Sequence, residues 1–149
     1  MRKSAMAKAI GKVLPPARSQ MYQEMFVQNK DTIVKMINEN TKKTIIFTTI
    51  LDVADVIYKT LSAEGIGVLK VIGETGNRQE IFDSFRSDDR YDVLVATSQT
   101  LSTGVTLNVA NQVMFFAVPW RAADYEQAYS RCYRIGQTSP VYIHIAMLN

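Results

Sequence analysis

With 149 residues, 47% of them hydrophobic and 21% charged, the chain has the make-up of one ordinary globular domain with room for a core. Seventeen basic residues against fourteen acidic ones leave a net charge of +3, compatible with a polyanionic partner without demanding one. No apolar run reaches the length of a membrane span, the basic start "MRKSAMAKAIGKVLPP" lacks a secretory core and cleavage site, and the single Cys132 excludes an internal disulfide and a cysteine-based metal site.

The first eighteen residues, with Pro15-Pro16, read as a linker or a tail from an upstream lobe, and 19–149 as the folded domain. Ser19 to Gln28 is expected to be helical, and Asp31-Thr32 starts a second helix that runs to about Asn40. The β-branched run "KTIIFTT" then predicts a buried strand. Val53, Val56, Ile57 and Leu61 share one helical face, and that helix should end near Gly65. "GVLKVIG" is a second strand, followed by the loop "ETGN" and a helix with Ile81, Phe82 and Phe85 facing the core. "YDVLVAT", "QVMFFAV" and "VYIHIAML" are three more strands, the last holding the lone His144 as a strand residue. Strand and helix alternate from about residue 44 onward, which predicts an α/β fold with a mostly parallel central sheet covered on both faces. Function in such sheets collects beyond the carboxyl ends of the strands, where Thr48-Thr49, Gly73 to Asn77 and Thr97 to Thr106 fall.

Between the last two strands lies "QAYSRCYRIGQ", with Arg131 and Arg134 three apart on one helix face. Two planar guanidiniums that close can grip one phosphate group. Alternatively they end a solvated basic helix, where cations favour the helix dipole. A site that binds nucleotide by itself would also need a glycine-rich cradle and a metal-holding carboxylate. "AIGKV" is no such cradle: Met6 stands five before Gly11, and Val13 replaces the hydroxyl that would meet the metal. No apolar strand ends in Asp-Glu, since Asp88-Asp89 lies in a polar turn. Arginines without a cradle suggest half a site.

The stretch "QAYSRCYRIGQTSPVYIH" resembles the last motif of superfamily-two helicases and translocases, in the form used by SWI/SNF-type ATPases. "KTIIFTT", "GETGNRQEIFDSFRSD" and "VLVATSQTLSTGVTLNVANQVMFF" resemble earlier motifs of the second RecA-like lobe, in the right order, and "LPPARSQMYQEMF" resembles the stretch that leads into it. Leu101-Ser102 and Thr106 stand where the SWI/SNF pattern has Gly-Gly and Asn, and Ser-Thr-Gly is similar to phage-type recombination helicases.

The resemblance implies a RecA-like three-layer fold and a C-terminal lobe of an ATP-dependent DNA helicase or translocase. Its ATP and Mg2+ would be held mainly by an absent N-terminal lobe, so the isolated chain is expected to be inactive. It implies arginine fingers at Arg131 and Arg134, and Gln127 near the γ-phosphate or attacking water. Gly104 would let backbone approach the nucleotide or the arginine helix, although a simple turn glycine is the plainer alternative. Thr48, Thr75, Thr97, Ser98 and Arg78 would meet one nucleic-acid strand through its phosphates. Ordinary loop polarity is the alternative for the hydroxyls, and for Arg78 an ion pair with Glu80 or Asp83. Trp120 and Tyr125 are packing residues by default. The expected setting is intracellular (cytoplasmic in a bacterial or phage-infected cell, or nuclear), without a membrane. A module that keeps the fold but has lost the chemistry is the competing reading.

Overall fold

A computed structural model describes residues 15–73, 75–97, 107–116, 126, 130 and 137–146. The order of elements follows the sequence reading. Helix α1 spans Pro15–Gln28 and α2 Lys30–Glu39, followed by β1 at Lys43–Thr48 and α3 at Leu51–Ala63. Strand β2 covers Val68–Val71, α4 Arg78–Ser87, β3 Val93–Thr97, β4 Ala110–Phe116 and β5 Tyr142–Ala146. Helix α1 takes in Pro15 to Arg18, which the sequence reads as tail. A proline in a first turn lacks only an N–H that has no helical acceptor there.

The five strands form one sheet in the order β2-β3-β1-β4-β5, and every pairing is parallel. All residues of β3 and β4 are buried, as are Thr44 to Thr48 of β1, which is why these strands read as continuous apolar runs. Alternate side chains divide between two cores. Ile46, Val95, Met114 and Phe116 pack with α1, α2 and α3, with Phe26 edge-on to Phe116 at 5.3 Å between centroids. Ile45, Phe47, Leu94, Ala96, Val113 and Phe115 pack on the other face with Phe82 and Phe85 of α4. Ile81 lies at the margin of that second core, and Val56 is likewise half-buried, its expected place in the first core taken by Ala54. Strand β5 is an edge, with Tyr142, Ile143 and Ile145 exposed.

Helix α3 ends as "AEGI" dictates. Gly65 takes φ +82, its N–H donates to Ser62 O, and the Ile66 N–H donates to Leu61 O. That bond pair with buried Leu61 and Ile66 is a Schellman closure. Connections from β1 lead toward β2 and β3, whereas β4 is followed by β5 on the opposite side. The switch in direction falls between β1 and β4, whose carboxyl-end residues Thr48 and Phe116 are in register. Among the described residues, no helix is long and apolar enough to cross a membrane.

Candidate nucleotide and nucleic-acid site

Parallel strands put all their carboxyl ends on one edge of the domain. Thr48 and Thr97 are register partners there on neighbouring strands, and Thr75 follows the end of β2, next along the sheet. The sequence therefore scattered these residues and the sheet brings them to one edge. Their side chains do different work. Thr48 and Thr97 are 0% and 1% exposed, so neither hydroxyl reaches solvent. Thr48 Oγ1 accepts from the Ile50 N–H at 3.3 Å, which shapes the turn into α3 and leaves Thr49 as the exposed residue of that turn. Thr75 is half-buried and closes its own loop: its Oγ1 accepts from the Ile72 N–H at 3.0 Å, and its N–H donates to Ile72 O at 3.0 Å. Arg78, the first residue of α4, donates from Nη2 to Gly73 O at 2.7 Å and braces the same loop. Asp83, one of the carboxylates expected beside it, pairs instead with Arg86. Ser98, Gly104, Gln127, Arg131 and Arg134, together with Trp120 and Tyr125, lie outside the described residues.

The opposite edge is built from long side chains. Gln137, which ends the arginine motif, donates from Nε2 to Asn108 O at 3.1 Å and to Ala110 O at 2.9 Å. Its Oε1 accepts from Lys42 Nζ at 2.6 Å and from the Ser139 N–H at 3.1 Å. Two carbonyls on one side and two donors on the other fix the amide orientation. Lys42 Nζ also donates to Asn108 O at 3.0 Å. Next to it, Asn40 Nδ2 donates to Lys42 O at 2.8 Å and to Asn111 Oδ1 at 2.7 Å. Lys43 crosses to α4, donating to Phe85 O at 2.6 Å and Asp88 O at 2.8 Å, so a cation meets the carbonyl end of that helix. Burial pushes the Lys43 ammonium below its ordinary pKa, partly opposed by the charges of Asp89, Asp92 and Asp88. Hydrogen bonds from Arg90 pull the Asp88 carboxyl down to about 2. A cavity of about 550 Å³ opens here, lined among others by Lys42, Lys43, Arg86, Asp92 and Asn108.

The sequence reading did not single out Lys42 or the side chain of Gln137, which the structure ties to each other. A signal for Gln137 was present in its place at the end of the arginine motif, but Lys42, Asn108 and Ala110 are far away in sequence. His144 lies in β5, where Nε2 donates to Gln112 Oε1 at 3.2 Å, because Gln112 spends its amide hydrogens on Met36 O and Thr44 Oγ1. Among the described residues, no group of three or more His, Cys, Asp or Glu side chains could hold a metal ion.

A five-stranded parallel sheet between helical layers, with polar loops at its carboxyl edge, defines a RecA-like α/β domain of the kind found in nucleotide-driven motors. Residues 28–136 match the Helicase conserved C-terminal domain family, and the chain belongs to that family as a second RecA-like lobe of the SWI/SNF type. It is 30% identical over 132 residues to Helicase swr1 of Aspergillus fumigatus, covering 87% of this chain and 8% of that protein. It is also 30% identical over 116 residues to the DNA excision repair protein ERCC-6-like of Danio rerio, covering 76% of this chain and 8% of that one. Among solved structures, the C-terminal part of the Fun30 ATPase domain superposes with a TM-score of 0.70 at 28% identity, over 77% of this chain and 39% of that one. The chain spans about 8% of the length of the curated relatives it matches.

Proposed function

We propose that the chain is the C-terminal half of an intracellular ATP-dependent DNA helicase or translocase, working against an N-terminal lobe that carries the nucleotide cradle. Arg131 and Arg134 reach the β- and γ-phosphates from this side, and Gln127 lies near the attacking water. Two guanidiniums and a carboxamide suit phosphate oxygens, and without a carboxylate among them they make a poor Mg2+ site, so Mg2+ belongs to the other lobe. ATP, when bound, supplies the phosphoryl transfer. The residues of this chain hold preorganised positive charge where negative charge develops, in a cleft that closes and opens with nucleotide state. Alone, the chain turns over no ATP.

The loops beyond β1, β2 and β3, at the carboxyl edge, hold one DNA strand by its phosphates. The observation that carries this part is the alignment of Thr48 with Thr97, with Thr75 beside them, on one edge of a RecA-like sheet. Since the two central hydroxyls are buried, the contacts fall to the loop backbone and to exposed Thr49. Such binding ignores sequence and weakens steeply with salt. One relative is named as a DNA excision repair protein, which favours DNA over RNA.

The test is Arg134→Ala in a polypeptide carrying both lobes. Stimulated ATP turnover should fall by about 10³–10⁵ while folding and ATP affinity change little, because the finger acts chiefly in the transition state. Arg134→Lys should remain poor, since it keeps the charge and loses the fork. Normal turnover in both variants would return "QAYSRCYRIGQ" to an ordinary basic helix.

A further inference from the structure

We infer that Gln137, held by Lys42 and the backbone at Asn108 and Ala110, is a positioning residue for the arginine motif. The inference rests on the reading that Arg134 acts on ATP. Gln137 stands three residues after Arg134, so at most about 11 Å of chain separates them. Among the described residues its side chain makes hydrogen bonds of 2.6, 2.9, 3.1 and 3.1 Å, using both amide hydrogens and two acceptor directions of the oxygen.

Three separate pieces of chain meet at this one amide. Lys42 immediately precedes β1, Asn108 to Ala110 lead into β4, and Ser139 starts the approach to β5. Both starting strands are central, and β4 is wholly buried. The last residue of the motif is therefore fixed to the starts of two inner strands of the sheet. A residue that merely stopped a helix would need one local bond. Gln137 instead reaches partners 27, 29 and 95 residues away in sequence.

A finger has to meet a phosphoryl group within fractions of an ångström, and a displacement of about 1 Å can cost 10²-fold in rate. The anchor supplies that constraint at the motif's last residue. Glutamate cannot replace the amide, because a carboxylate has no hydrogen for the carbonyls of Asn108 and Ala110. Lys42 is the second half of the device: it donates to both Gln137 Oε1 and Asn108 O, tying the anchor to the strand start that the anchor itself grips.

The experiment uses the two-lobe polypeptide. Gln137→Ala should lower kcat by about 10²-fold with the KM for ATP within about threefold of wild type. Gln137→Glu should fail similarly, and Lys42→Met should lower kcat less, in the same direction. In an Arg134→Ala background, Gln137→Ala should lower turnover no further, because the anchor acts through the arginine. Circular dichroism and melting of each variant give the folded fraction. The inference is overturned by normal kcat in Gln137→Ala, by losses that track the unfolded fraction alone, or by losses that add in full to that of Arg134→Ala. Should Gln137→Ala fail to fold, the kcat of Lys42→Met and its non-additivity with Arg134→Ala decide by the same criteria. Normal turnover in Arg134→Ala sinks the finger reading and the inference with it. Normal turnover in Gln137→Ala beside a dead Arg134→Ala sinks the anchor alone.

Discussion

The two edges of the sheet are tied together in opposite ways. At the carboxyl edge the bonds are local: Thr48 to Ile50, Thr75 to Ile72 and Arg78 to Gly73 span two, three and five residues. At the amino edge local bonds are joined by long-range ones: Lys43 reaches 42 and 45 residues along the chain, Lys42 reaches 66 and 95, and Asn40 reaches 71. Loops closed by their own short bonds can change shape without disturbing the core, which suits the proposed grip on a DNA strand. Bonds between distant segments resist such change, because breaking one means separating elements that the sheet already holds. The lesson is that a RecA-like lobe keeps its adaptable surface and its scaffold on opposite edges, about 20 Å apart along a six-residue strand.

The largest expected difference between the edges outside the proposed arginine fingers is steric. Gly67 precedes β2 at the amino edge, and a Cβ there would sit 1.7 Å from the Arg90 carbonyl oxygen. Asp92 and Val93 both donate to Gly67 O, so the backbone is not free to retreat. Gly67→Ala should cost about 3 kcal/mol or more in a denaturant titration. Gly76, in the carboxyl-edge loop, has nothing within 4 Å of the same position. Gly76→Ala should stay within about 0.5 kcal/mol of wild type. Equal losses at both glycines would erase the contrast.

A smaller effect separates the edges by function. Thr49 and Thr41 are both exposed, one at each edge. Thr49→Asp puts a negative charge where a DNA phosphate is proposed, and should weaken single-stranded DNA binding at low salt by roughly three- to tenfold. Thr41→Asp should leave binding near wild type beyond the shared change in net charge. Fluorescence anisotropy across ionic strengths measures both, and equal weakening would move the proposed strand away from the carboxyl edge.

The smallest effect concerns pH, at the sheet margin. Burial lowers the His144 pKa below its ordinary 6.5. The unfolded chain then binds more protons than the folded one as pH falls through about 6.5, so folding weakens on the acid side and gains above it. His144→Gln should flatten this part of the stability profile, read as melting temperature between pH 7 and pH 5. An unchanged slope would assign it to other groups.

How much was legible in advance differs by element. The apolar runs of β1, β3 and β4 and the spacing of Phe82 and Phe85 were readable because burial by near neighbours writes a short period into the sequence. Val56 misled, because a half-buried flank of a helix is as apolar as its core face, and small Ala54 hides in a pattern search. Thr48 and Thr97 were read as contacts because they are polar and end strands. Their burial depends on neighbouring strands and helices.

The sequence by itself determined the order of strands and helices, the parallel α/β class and the helicase motifs in their proper order, since each is encoded over a few to a few tens of neighbouring residues. Only the tertiary structure decided the strand order β2-β3-β1-β4-β5, because each parallel crossover can land on several positions and packing of the whole chain selects one. It alone showed Arg78 bracing a loop through Gly73, and Gln137 bound to Lys42, Asn108 and Ala110. A carbonyl carries no residue-specific signature, so a side chain that binds backbone far away leaves no pattern in the sequence, and only folding brings donor and acceptor into reach.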